Sequence, residues 1–153
     1  MRQLSLLRQA LVASLLLPLA CDAPPTETPI EIQRIILISI DTLRADALGA
    51  YGQSPSPTPN IDSLAAQGVL FENPIAPSPI TLPSHTTLLT GLHPLEHGIL
   101  VNSQAALDEE IVTLADRLKE AGWKTGAIIS SAILHHRYGL TSGFDEYRDN
   151  YFT

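Results

Sequence analysis

Asp41 and Thr81 carry side chains that can do chemistry at positions where a fold can expose them. Asp41 directly follows residues 35–40, an apolar and β-branched run typical of a strand buried on both faces. Open α/β sheets bind ligands beyond the carboxyl ends of their strands, so a carboxylate there can ligate a divalent cation. Taken alone, Asp41 is explained equally well by a capping or turn role, and Thr81 alone is less informative still.

The histidines give a weaker signal. His85 lies one helical turn past that threonine, and orienting a site or simply packing explains it equally well. For His93 and His97 we favour structural or surface roles. His135 and His136 form a tempting metal pair, but adjacent residues rarely present both rings to one ion, so we do not expect a metal there.

Strands alternating with helices must position these side chains, and this alternation predicts a mostly parallel sheet with helices on both faces. Thr58 before Pro59 is typical of a helix start, and Thr113 with Asp116 is typical of a capping box. The proline-rich segment 74–83 is predicted to be a loop. The predicted strands are 35–40, 69–73 and 124–130, and the predicted helices are 59–67, 84–90 and 113–121.

Composition limits the class of protein. The chain has 153 residues, of which 44% are hydrophobic and 16% charged, so it is long and apolar enough for one globular domain. Its formal net charge of −7 argues against a nucleic-acid-binding surface, which needs clustered Lys and Arg.

The amino-terminal residues predict export. Two arginines precede the apolar stretch 10–19, which is too short to span a bilayer comfortably and has the size of a secretory signal. The sole cysteine, Cys21, ends this stretch in a Leu-Ala-Cys sequence that resembles the bacterial lipobox. We therefore expect a lipoprotein signal peptide at 1–20, a lipidated Cys21 and a tether at 21–33, which would anchor the protein to a membrane of a bacterial cell envelope. An ordinary signal peptide or an uncleaved anchor is the alternative.

Three long stretches, in this order and at this spacing, carry more information than any single residue. They are IILISIDTLRADALGAYG at 35–52, TPNIDSLAAQGVLFE at 58–72 and TLPSHTTLLTGLHPLEHGI at 81–99. This succession resembles the N-terminal part of the sulfatase family, within the alkaline-phosphatase superfamily. The resemblance covers roughly 34–153 and implies the N-terminal part of a catalytic domain with an α/β, alkaline-phosphatase-like fold.

The resemblance implies hydrolysis of a sulfate or phosphate ester, a small anionic substrate. A divalent ion such as calcium or zinc would offset the charge of that substrate, with Asp41 as a ligand. Many sulfatases have two adjacent aspartates at this place, whereas the second position here is Thr42. Arg44 can contact the ester oxygens, and a surface salt bridge explains it equally well.

The nucleophile position departs from the sulfatase pattern. Typical sulfatases have Cys or Ser, followed two residues later by Pro and four residues later by Arg, and oxidise the first residue to formylglycine. Here Thr81 stands first and His85 replaces the arginine, so formylglycine is not expected. The stretch is similar to the nucleotide pyrophosphatase/phosphodiesterase branch of the superfamily, which uses an unmodified threonine. This similarity implies that Thr81 is the nucleophile and a metal ligand, with His85 as a further catalytic residue.

Three functions therefore stay open. The first is a sulfatase-like ester hydrolase, and the second is a phosphodiesterase or phosphoryl transferase of the same superfamily. The third is a non-catalytic lipoprotein that keeps the first half of the fold. Relatives supply further metal ligands from a later part of their sequences, so we expect this chain to be a fragment of the full enzyme.

Overall fold

The structure, a computed structural model, describes residues 31–102 and 106–149. The chain divides into two compact units, Met1–Ser39 and Ile40–Thr153. In the described part of the first unit, residues 31–39, there is neither helix nor strand. The predicted signal peptide and Cys21 lie outside the described residues, as does all but the end of the predicted tether.

The strand predicted at 35–40 is wrong. These residues belong to no strand, and their apolar side chains are exposed, with Ile36 at 78% and Ile38 at 75%. The strand predicted at 69–73 is wrong as well. A β-branched run becomes a strand only when a neighbouring strand supplies its hydrogen bonds, and the one sheet of the described ranges lies elsewhere.

That sheet consists of two short parallel strands, β1 (Gly126–Ile128) and β2 (Glu146–Arg148). Ala127 pairs with Tyr147 at the centre of the register. The strand predicted at 124–130 is thus confirmed in a shorter form, and its parallel pairing fits the predicted sheet type. The second strand was not predicted.

Four α-helices are present in the described ranges. The predicted helix 59–67 is confirmed, and the helix predicted at 84–90 begins at Thr81 instead. Pro83 does not prevent this start, because the backbone N–H groups in the first turn of a helix make no hydrogen bonds within the helix, and proline therefore loses none there. The helices are α1 (Pro59–Gln67), α2 (Thr81–Thr90), α3 (Pro94–His97) and α4 (Leu114–Glu120), and short 3-10 turns occur at Ala45–Ala47, Gly49–Tyr51, Ala132–Leu134 and His136–Tyr138.

The two predicted helix caps have different outcomes. At the start of α4, Thr113 Oγ1 accepts the N–H of Asp116 at 3.1 Å, and Asp116 Oδ2 accepts the N–H of Thr113 at 2.7 Å, as the capping box predicted. Thr58 precedes α1, but its side chain makes no capping bond to that helix. Its hydroxyl accepts from Gly49 N–H and donates to Asp62 instead, which ties α1 to the 3-10 turn before it.

The core of the second unit surrounds α2. Leu82, in the first turn of α2, is fully buried, and the helix packs against α3, α4 and the 3-10 turn Ala132–Leu134. No helix within the described ranges is long and apolar enough to span a bilayer. The core cluster consists of Leu82, Ile99, Leu107, Leu134, Tyr138 and Leu140.

Candidate active site

The structure brings Asp41 and Thr81 together. Thr81 Oγ1 donates a hydrogen bond to Asp41 Oδ2 at 2.9 Å, across 40 positions of sequence. Thr81 is the first residue of α2, and the buried Leu82 and Pro83 that follow it fix the start of this helix in the core. A carboxylate and a hydroxyl are thus held side by side at an exposed surface, where a dissolved ion or substrate can reach both.

The backbone next to Asp41 is unusual. Thr42 has a φ of 60°, the left-handed region that β-branched residues rarely adopt. Such a conformation costs about 1–3 kcal/mol and persists only where the surroundings enforce it. It lies where many sulfatases have their second aspartate, so the chain turns sharply just after the predicted ligand.

The start of α2 offers fewer free N–H groups than a helix terminus usually does. Leu82 N–H donates to Asn102 Oδ1 at 2.9 Å, Ser84 N–H donates to Ile80 O at 3.1 Å, and Pro83 has no N–H. Binding of an anion by a row of backbone N–H groups is therefore limited here. Sequence reasoning missed Asn102, because nothing in its local sequence indicates a contact with a helix 20 residues earlier.

His85 is tied to the same turn of helix. Its Nδ1 lies 2.8 Å from the carbonyl oxygen of Thr81. A carbonyl oxygen only accepts, so Nδ1 carries the hydrogen and the ring orientation is fixed relative to Thr81.

His93 and His97 make contacts of a structural kind. His93 Nδ1 accepts from Leu95 N–H at 3.3 Å at the start of α3. His97 is buried, and its Nδ1 accepts from Ile99 N–H at 3.1 Å, so its Nε2 carries the hydrogen and donates to Thr87 Oγ1. Burial lowers the pKa of His97, which favours this neutral ring.

Arg44 forms the surface salt bridge that the sequence left open. Its guanidinium binds both carboxylate oxygens of Asp46, with Nε at 2.9 Å from Oδ1, and its side chain is 79% exposed. This pairing raises the pKa of Arg44 and lowers that of Asp46. A substrate would therefore have to compete with Asp46 for this guanidinium.

His135 and His136 face the same carboxylate, contrary to the expectation for adjacent residues. Both lie within 4.0 Å of Asp149 Oδ2, His136 through Nδ1 at 2.9 Å and His135 through Nε2 at 3.8 Å. Hydrogen bonds from the backbone and ring of His136 hold the pKa of Asp149 below its usual value. No signal in the sequence connects Asp149 with these histidines. Their contact depends on the end of β2 lying beside the 3-10 turn His136–Tyr138.

Comparison with known proteins identifies the family. A family model described as Sulfatase matches residues 33–152. The chain belongs to the sulfatase family. An N-acetylgalactosamine-6-O-sulfatase of Bacteroides thetaiotaomicron is 45% identical over 98 residues, which are 61% of this chain and 19% of that protein. The human N-acetylgalactosamine-6-sulfatase is 34% identical over 128 residues, which are 74% of this chain and 24% of that protein.

Solved structures agree on the fold. The phosphonate monoester hydrolase of Agrobacterium radiobacter matches with a TM-score of 0.60 and 28% identity, over 72% of this chain and 24% of that one. The predicted α/β, alkaline-phosphatase-like fold of this sulfatase-family chain is thereby confirmed. The chain spans about a fifth to a quarter of the length of the curated relatives it matches.

Proposed function

We propose that this chain contributes the nucleophile, Thr81, and two metal ligands, Asp41 and Thr81, to a metal-dependent hydrolase of sulfate or phosphate esters. The observation that carries this proposal is the 2.9 Å hydrogen bond from Thr81 Oγ1 to Asp41 Oδ2. Membership in the sulfatase family supports the same chemistry.

The two side chains suit a divalent cation. Both offer oxygen atoms, and their separation of 2.9 Å is short enough for one ion to contact both. Calcium prefers ligands that are all oxygen atoms. Zinc is bound by nitrogen and sulfur atoms, and it accepts carboxylate oxygens as well. When bound, such an ion stabilises negative charge on the ester oxygens and makes a neighbouring hydroxyl a better nucleophile. Further ligands would have to come from residues other than these two.

The proposed reaction has two steps. Thr81 Oγ1 attacks the sulfur or phosphorus atom, and the bond from that atom to the alcohol oxygen of the substrate breaks. The hydroxyl hydrogen of Thr81, which already points at Asp41 Oδ2, leaves as a proton, and the departing oxygen takes up a proton from water. Water then hydrolyses the ester on Thr81 and restores the hydroxyl. The product released is sulfate from a sulfate ester, phosphate from a phosphate monoester, or a phosphate monoester from a phosphodiester.

His85 would act by positioning. Its Nδ1–H holds the carbonyl of Thr81, so the ring supports the backbone that carries the nucleophile. Arg44 would contact the substrate only by exchanging its bond to Asp46 for one to an ester oxygen.

The test is an assay of the full-length protein with an aryl sulfate and an aryl phosphodiester, in a host that lacks the formylglycine-generating enzyme. Wild-type protein should be active without that enzyme. Thr81→Ala should reduce kcat by several orders of magnitude because it removes the covalent step. Thr81→Ser is the matched control: it keeps a hydroxyl and should retain much of the activity. Full activity of Thr81→Ala would show that another residue is the nucleophile.

The second candidate is a phosphodiesterase or phosphoryl transferase. Threonine is a secondary alcohol and is not the usual substrate for oxidation to formylglycine, and this favours phosphorus chemistry slightly. The same pair of substrates separates the two functions, because a sulfatase would prefer the aryl sulfate and a phosphodiesterase the aryl phosphodiester.

We further propose that the protein is exported and anchored to a membrane through a lipid on Cys21. The Leu-Ala-Cys sequence at the end of a short apolar stretch supports this. Growth with a radiolabelled fatty acid should label the wild-type protein and leave Cys21→Ser unlabelled. Equal labelling of both proteins would contradict the proposal.

A further inference from the structure

His135, His136 and Asp149 form a compact cluster that shares no residue with the candidate active site. One potential ligand atom from each residue can be chosen such that all three lie within 4.8 Å of one another. We propose that this cluster binds a divalent transition-metal ion of the zinc class.

The backbone explains why two adjacent rings can face one carboxylate. His135 is extended, with φ −58° and ψ 149°, and links two 3-10 turns, so the chain changes direction between the two histidines. Their ring centroids consequently lie 3.8 Å apart with planes tilted by 37°. The usual divergence of neighbouring side chains does not apply here.

Asp149 anchors the cluster. Its side chain is only 4% exposed, and Oδ2 accepts the backbone N–H of His136 at 2.6 Å. A second bond, from Tyr147 hydroxyl to Leu134 O at 2.6 Å, holds the preceding 3-10 turn, Ala132–Leu134, against β2. The carboxylate and the rings are therefore kept in place before any ion arrives, which lowers the entropic cost of binding.

The distances suit a tetrahedral ion. Zinc bonds to nitrogen and oxygen are about 2.0–2.2 Å, which places neighbouring ligand atoms about 3.3–3.6 Å apart. Asp149 Oδ2 lies 2.9 Å from His136 Nδ1 and 3.8 Å from His135 Nε2, so small ring rotations in opposite senses would produce this spacing. Ligation of His136 through Nδ1 would put its ring hydrogen on Nε2 and replace the bond from Nδ1 to Asp149 Oδ2. Ligation of His135 through Nε2 would put its ring hydrogen on Nδ1 and replace the 3.3 Å contact from Arg137 N–H.

The ligand chemistry selects the ion. Two imidazole nitrogens and one carboxylate oxygen suit zinc, nickel or copper, whereas calcium and magnesium prefer shells of oxygen. The side chain of His136 is 59% exposed, so a fourth position is open to water or an added ligand. Bound metal would hold the 3-10 turn His136–Tyr138 against the end of β2. It would stabilise the folded protein because it binds the folded state more tightly than the unfolded chain.

The test is a calorimetric titration of untagged, chelator-treated protein with zinc chloride, followed by calcium chloride. All proteins carry Asp41→Asn, so that the candidate active site contributes little. This parent protein should bind one zinc ion, and calcium should not displace it. His135→Gln and His136→Gln should each weaken zinc binding by at least about tenfold, because even the partners of metal ligands contribute about 10- to 100-fold. His93→Asn is the matched control: it removes another exposed histidine, keeps a capping side chain and should bind zinc like the parent.

Thermal unfolding with and without zinc provides the second readout. Zinc should raise the Tm of the parent and of His93→Asn, and at the same zinc concentration should raise the Tm of the two ligand variants less. Circular dichroism establishes that the ligand variants are folded. The proposal is overturned if the parent shows no saturable zinc binding, or if the double variant His135→Gln/His136→Gln binds zinc as tightly as the parent.

Discussion

Thr81 donates its hydroxyl hydrogen to Asp41, and this one contact joins the turn after residues 35–40 to the first turn of α2. Neither residue is distinctive in its own local sequence. Their proximity exists because Leu82 and Pro83 bury the start of α2 in the core, leaving the hydroxyl at the surface.

Metal affinity should depend on the number of carboxylates at residues 41 and 42. Asp41→Asn should weaken calcium binding and lower kcat, because an amide oxygen carries no charge. Thr42→Asp should strengthen calcium binding, since it restores the adjacent carboxylate of many sulfatases and Asp tolerates a positive φ better than Thr does. Calorimetry of the full-length protein measures both changes. Unchanged affinity in Asp41→Asn would remove Asp41 from the metal site.

His85 should affect turnover more than substrate binding. His85→Leu removes the donor to Thr81 O and should lower kcat while leaving KM nearly unchanged, because it loosens the nucleophile and not a substrate contact. His85→Gln retains an N–H donor and should recover part of the loss. Steady-state kinetics of both variants provide the measurement, and a large rise in KM alone would instead indicate a role in substrate binding.

Asp145 should make stability depend on acid pH. Thr125 N–H and the Lys119 ammonium bind its carboxylate and lower its pKa from 3.8 to about 2. A carboxyl group with a lowered pKa in the folded state stabilises the protein above its unfolded pKa, and this contribution disappears as the pH falls towards the folded pKa. Asp145→Asn should therefore have a lower urea midpoint than wild type at pH 5, and the difference should vanish between about pH 4 and pH 2. Glu109→Gln, a change at an exposed turn, serves as the control and should leave the urea midpoint at pH 5 unchanged.

Among the caps of the described helices, removal of the Thr113 side chain should lower the free energy of unfolding the most. Its buried hydroxyl accepts from Asp116 N–H, and its one hydrogen lies within bonding distance of both Asp116 Oδ2 at 2.9 Å and Ser142 O at 3.1 Å. The contact with Ser142 joins α4 to the turn before β2. Thr113→Ala should destabilise the protein by about 1–2 kcal/mol through loss of the cap. Thr113→Ser keeps the hydroxyl and should recover most of that free energy of unfolding in urea titrations. Equal losses in both variants would mean that the methyl group, and not the cap, matters.

Sequence patterns predicted the helices better than the strands, for a physical reason. The capping box at Thr113 begins one helix, and Gly91 ends another, through hydrogen bonds to residues only a few positions away. A short stretch of sequence is therefore enough to predict where such a helix begins or ends. The runs at 35–40 and 69–73 have strand composition, but a strand also requires a partner that local sequence does not specify.

The candidate site shows the same division. The resemblance to sulfatases singled out Asp41 and Thr81, and the structure places them in contact, although their roles stay predictions. Asn102 and Asp149 were not predicted, because each acts on a segment far away in the chain. Adjacent histidines were not expected to face one ion, yet at the junction of two 3-10 turns both His135 and His136 lie within 4.0 Å of Asp149 Oδ2. The prediction that they hold no metal is untested.

The exposed apolar segment 35–40 has a consequence for handling the protein. It combines β-branched residues, no proline and no charge, and Ile36 and Ile38 are largely accessible to solvent. Segments of this composition readily stack against identical copies as cross-β structure. Self-association of this chain should therefore begin at 35–40 and increase with concentration. Ile36→Lys should delay it, because it places a charge within the apolar segment.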